Sequence, residues 1–69
     1  MITSRLLRRT HIAGTEWSLW VTTCGASAVY EVRAERDGGF ERRSLGQVGL
    51  VAVAAFEQYM VDLRERAKA

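Results

Sequence analysis

The chain has 69 residues, a formal net charge of +2 and a hydrophobic content of 48%, enough apolar material for a packed core and too much for intrinsic disorder. Its single cysteine, Cys24, excludes an intramolecular disulfide framework, and Cys24 with His11 makes too few soft ligands for an all-protein zinc site. No run of about 20 apolar residues is present to span a bilayer, so the expectation is one small domain over 1–69 that relies on good packing or on a partner chain.

The sequence begins with Met, carries no tag and reads as a self-contained product. It lacks the basic start and long apolar segment of a secretory signal, and a lone thiol suits a reducing compartment, so a cytoplasmic setting is expected. Nine of the ten basic residues are arginine. That composition serves phosphate or carboxylate recognition, although a GC-rich genome alone produces the same bias. Arg5, Arg8 and Arg9 lie close together near the start with no acid beside them. The remaining seven bases face eight acids, which leaves the body of the domain at −1. The basic character therefore sits in the segment 1–13, which weakens the case for a broad nucleic-acid groove.

Residues 1–13 follow no clean period. Ile2, Leu6, Leu7 and Ile12 fit neither a helix nor a strand throughout, and the best reading is a short edge strand or arm around Arg5–Ile12. The opening "MITSRLLRRTHIA" also has the arginines, hydroxyls and lack of acid of a transit peptide, though it is short for one. Gly14 breaks the chain.

Trp17–Cys24 is rich in aromatic and β-branched residues and reads as a strand. Alternation puts Trp17, Leu19, Val21 and Thr23 on one face and Ser18, Trp20, Thr22 and Cys24 on the other. "CGAS" supplies a turn. Ala28–Arg36 alternates cleanly, with Tyr30, Val32 and Ala34 opposed to Glu31, Arg33 and Glu35. The Gly-Gly pair in "RDGGFE" signals a hairpin. A two-residue turn at Gly38 and Gly39 sets Arg36 opposite Glu41, Glu35 opposite Arg42 and Val32 opposite Leu45, joining two pairs of opposite charges worth about 0.2–1 kcal/mol each.

"SLGQ" fits a capping box, with Ser44 as N-cap and Gln47 reaching back. From there to Ala67 the composition is helical, and Val48, Ala52, Ala55, Phe56, Tyr59 and Leu63 recur at helical spacing. An extended start for "VGLVAVAAF" is the alternative. The expected fold class is α+β: a two- or three-stranded antiparallel β-sheet followed by one long C-terminal α-helix packed on one face. Trp17, Leu19, Val21, Tyr30, Val32 and Leu45 of the sheet meet Val48, Ala52, Phe56, Tyr59 and Leu63 of the helix. Leu50, Val51, Val53, Met60 and Val61 fall outside that stripe.

This arrangement sends Trp17 under the helix and Trp20 to the open face of the sheet, beside Thr22, Cys24, Arg33, Glu35 and Arg42, with Phe40 near the hairpin tip. Trp and Arg are the residues most enriched at binding hot spots. The competing readings are that segment 1–13 folds over Trp20 or that a second copy covers it, which makes a homodimer. Cys24 and His11 occur once each in separate segments without a catalytic motif. Glu31, Glu35 and Glu41 are explained by hairpin charge pairing. "DGG" lacks the lysine and hydroxyl of a phosphate loop. No enzyme, cofactor or metal is expected.

The preferred expectation is a small protein-binding module, an inhibitor or adaptor that docks on a larger macromolecule through Trp20, Phe40, Arg33 and Arg42. Size and arginine content suit an accessory gene of a phage or plasmid, a class that includes anti-CRISPR proteins. The alternative is a single-stranded nucleic-acid binder that stacks bases on the sheet and tracks phosphates with Arg5, Arg8 and Arg9.

Overall fold

A computed structural model describes residues 1–68. Four strands run in sequence order as an antiparallel meander, β1 (Ile2–Ile12), β2 (Thr15–Cys24), β3 (Ser27–Arg36) and β4 (Gly39–Gly46), and one helix follows, α1 (Gly49–Lys68). The α+β class agrees with the sequence; the strand count is four where two or three were expected. β1 is a full edge strand, longer than the Arg5–Ile12 read from the sequence. No helix is long and apolar enough to cross a membrane among the described residues.

Tight turns drive the meander. Ala13 and Gly14 both have positive φ, at 50° and 82°, as a type I′ hairpin turn requires. Gly25, at φ 61°, leads the second turn. The third turn departs from expectation. Arg36 pairs with Gly39, Glu35 with Phe40, Arg33 with Arg42 and Val32 with Arg43, so the two turn residues are Asp37 and Gly38, with Gly38 at φ 76°. Asp-Gly is as good a turn pair as Gly-Gly, and turn geometry outweighs cross-strand charge pairs worth only tenths of a kcal/mol. Arg36 and Glu41 still meet diagonally at 3.7 Å. The expected pairing of Glu35 with Arg42 is lost, because Arg42 lies opposite Arg33.

Both edge strands carry a bulge. On β1 the pairing steps from Leu6–Trp20 to Arg8–Leu19, and on β4 from Glu31–Ser44 to Tyr30–Gly46. The unpaired residues are Leu7 and Leu45, and each packs against the core. A bulge re-aims a side chain and reverses the alternation beyond it. This is why segment 1–13 matches no single period.

Leu19 is fully buried, with Ile12, Val21, Val32 and Ala34 beside it on the sheet and Ala52, Phe56 and Met60 on the helix. Removing the larger of these side chains from water stabilises by about 1.5–3 kcal/mol each. Trp17 and Tyr30 are half-buried, short of the full burial assigned to them. Met60 is inside the core and Val53 half-buried against it, whereas Val48 is 60% exposed. These shifts follow from the helix start. Ser44 belongs to β4, and its Oγ accepts from the Gly46 amide at 3.2 Å, so the expected capping box with Gln47 does not form. Gly46, at φ 88°, turns the chain out of the sheet, and the first helical bond runs from Ala52 N to Val48 O at 2.9 Å.

The helix starts over β3, where a Cβ at Gly49 would lie 2.8 Å from the Tyr30 hydroxyl and 3.2 Å from Cζ. It ends over β1, where Arg64 Nη2 donates to Thr10 Oγ1 at 3.0 Å and Glu57 faces Arg8 at 3.9 Å. The helix thus crosses the sheet diagonally.

Two substitutions test these constraints. Ala13 occupies a left-handed conformation that costs an L-residue about 1–2 kcal/mol. Ala13→Gly relieves it against a smaller loss of chain entropy, so urea denaturation should show a gain of about 0.5–1 kcal/mol. A lower midpoint would refute the type I′ geometry. Gly49→Ala in an ordinary helix gains about 1 kcal/mol. Here it should destabilise, and Tyr30→Phe should restore part of the loss, so that the double variant is more stable than the sum of the two single changes. Strict additivity would show that Gly49 does not abut Tyr30.

Candidate functional site

The helix covers one side of the sheet. The other side has no covering element among the described residues, and segment 1–13, being β1, lies within the sheet and does not fold over it. Trp20 sits near the middle of this open face, directly opposite Leu6 on β1 and Glu31 on β3. Its indole is held at two points. Trp20 Nε1 donates to Ser18 Oγ at 2.9 Å, and Ser18 is itself buried. The Arg33 guanidinium carbon stacks 4.4 Å from the ring centroid. Arg33 Nη2 donates in turn to Glu31 Oε1 at 2.8 Å. Glu31, Arg33 and Trp20 form one connected unit, since the ion pair holds the guanidinium over the indole.

The physical worth of that unit is geometric more than energetic. A cation–π contact stabilises by about 0.5–2 kcal/mol according to how dry it is, and the Arg33 side chain is 21% exposed. Arg33 Nε is buried with no acceptor, a cost of the stacked pose. The gain is an aromatic anchor that needs little ordering on binding.

Around it the face is mixed. Leu6 and Val29 are partly exposed, and Ser4 and Thr22 share a hydrogen bond at 2.9 Å. Arg9 and His11 both face Glu16, at 3.7 and 3.6 Å. Arg42, directly opposite Arg33, pairs with no carboxylate among the described residues. A shallow depression runs between Ser4, Thr22, Val29, Glu31, Arg33 and Arg42. Phe40 is on the same face and 54% exposed. It lies opposite Glu35, two strands away from Trp20 and further along the sheet, a separation on the order of 15 Å from standard strand spacings. Trp20, Arg33 and Arg42 are therefore brought together, and Phe40 stands apart from them.

The three N-terminal arginines do not converge. Arg5 lies opposite Val21 and Arg8 opposite Leu19, both on the helix side, while Arg9 lies opposite Ser18 on the open face. The bulge at Leu7 separates them. Cys24 is exposed at one end of β2, and His11 pairs with Glu16 at the other end, roughly 27 Å away at the rise of a strand. Thiol and imidazole are thus held apart. No group of three or more His, Cys, Asp or Glu side chains is placed to hold a metal ion among the described residues.

Two exposed features lie elsewhere. Leu50, Val51 and Val61 face outward from the helix, Leu50 being 88% exposed, and Val48 just before it is exposed too; the first turns of α1 are apolar all round, as the width of its apolar set implied. On the helix side, Trp17 meets Tyr59 edge to face at 5.3 Å in a cleft that the sequence reading missed by assigning Trp17 wholly to the core. No residue pattern marks it, because the cleft depends on a fourth strand and on the path of the helix across the sheet. No family model, curated protein or solved structure matches this chain.

Proposed function

We propose that this chain is a non-enzymatic docking module that binds a larger protein, as an inhibitor or adaptor, through its open sheet face with Trp20 as the central anchor. The observation that carries this reading is the Glu31–Arg33–Trp20 unit on an uncovered face. Buried, pre-ordered Trp and Arg side chains are the groups around which protein interfaces concentrate their affinity. The adjoining Leu6 and Val29 add apolar area, and the unmatched Arg42 gives orientation.

Single-stranded nucleic acid is the reading that this geometry disfavours. Base stacking needs a free aromatic face, and one face of Trp20 is occupied by the Arg33 guanidinium. Glu16, Glu31 and Glu35 share the surface, and Arg5 and Arg8 project from the opposite side.

The test is affinity capture from native host extract with and without nuclease, followed by a titration of the recovered partner. A single stoichiometric protein that survives nuclease is expected. Trp20→Ala should weaken its binding by about 2 kcal/mol, roughly 30-fold, with little dependence on salt. Recovery that disappears with nuclease, together with a steep loss of affinity as salt rises, would replace this reading with nucleic-acid binding. Thermal unfolding of Trp20→Ala separates lost contact from lost fold.

A further inference from the structure

The diagonal path of α1 leaves two corners of the helix-side sheet face uncovered: a polar one lined by Thr3, Arg5, Thr23 and Tyr30, and an aromatic one where the end of β3 meets the start of β4. In the aromatic corner Trp17, Val32 and Ala34 form the floor of a cleft, Tyr59 of the helix forms one wall, and Glu41 and Arg43 of β4 form the other. The cleft measures about 310 Å³, at the lower end of the range for ligand sites and matched to one large side chain. It continues past Trp17 and Tyr59 toward Leu63 and Arg66.

The floor is apolar and aromatic, and the rim is cationic. Glu41, the one acid there, is already matched by Arg36 at 3.7 Å. Arg43 projects from the edge strand, exposed, with no carboxylate within 4 Å among the described residues. A charged side chain at this place is not required by the fold, because Arg43 lies opposite Val32, where an apolar residue would extend the core. The Trp17 indole, half-buried and set at 82° to the Tyr59 ring, offers an edge and a face for another ring.

We infer that this cleft binds an acidic peptide segment of a partner protein, one aromatic or large aliphatic side chain entering over Trp17 and Tyr59 while a flanking carboxylate pairs with Arg43. A guanidinium recognises a carboxylate by two parallel hydrogen bonds, and the cleft is too open to enclose a free small molecule but is shaped for one side chain of a chain that continues along the rim. The inference concerns the face opposite to Trp20 and stands apart from the open-face docking proposed above.

The experiment selects random nine-residue peptides displayed on phage against the folded full chain, then titrates the selected peptides into isotope-labelled protein. Selected sequences should share one aromatic or large aliphatic residue with Asp or Glu within two positions. The Trp17 Nε1–H signal should move on titration while that of Trp20 stays in place. Arg43→Glu, at an exposed site, should weaken binding at least tenfold, and replacing the peptide acids by lysine should restore it. Trp20→Ala should leave peptide affinity unchanged, whatever it does to the open-face partner. Selection of neutral or basic peptides, no selection at all, or insensitivity to Arg43→Glu would overturn the inference. So would a Trp17 signal that moves with protein concentration alone, which would give the cleft to a second copy, or one that moves only with oligothymidylate.

Discussion

The structure depends on a mismatch of widths. Four strands at about 4.8 Å spacing make a sheet broader than the 10–12 Å of one helix, and α1 is the only element among the described residues available to cover it. By crossing diagonally, from Tyr30 on β3 to Thr10 on β1, the helix touches all four strands without covering any of them along its full length. The molecule is consequently a thin slab of 43 × 26 × 15 Å, with one face and two corners of the other left to solvent among the described residues. Everything offered to a partner follows from this shortage of cover, including the two half-exposed tryptophans.

The core compensates by drawing leucines from the margins. Leu7 and Leu45 enter it from the two edge strands, each through a bulge. On β1 the register set by the Ala13–Gly14 turn would otherwise carry Leu7 opposite Trp20 on the open face, and the bulge lets it turn toward the layer around Leu19 and Phe56. The same devices fix what the surface displays. The bulge at Leu7 sends Arg8 to the helix side, where it meets Glu57, and leaves Arg9 on the other.

Much of this was legible in the residues. The alternation in Trp17–Cys24 and Ala28–Arg36 sorts the two faces of β2 and β3 correctly, because a pleated strand has a rigid period of two. Placement of Trp20 beside Arg33 on the uncovered side follows from it. The register of the last hairpin was less accessible: Asp37–Gly38 and Gly38–Gly39 are both competent turns, and the charge pattern favoured the wrong one by an amount smaller than turn geometry can override. The helix start was misread for a related reason. Ser44 and Gln47 have the spacing of a capping box, but a serine near the end of a strand can satisfy a local amide as Ser44 does for Gly46. The cleft beside Trp17 depends on the crossing angle of the helix, which no local pattern encodes.

The two bulges sit on β1 and β4, the edge strands of the sheet among the described residues, with Arg5, Arg8 and Arg9 around the first and Arg42 and Arg43 just before the second. A kinked, cationic margin is a poor template for another copy to extend. A slab this thin, with hydrophobic side chains so near its borders, would otherwise be prone to growing into ribbons. Its irregular, charged borders should keep concentrated solutions free of fibrils.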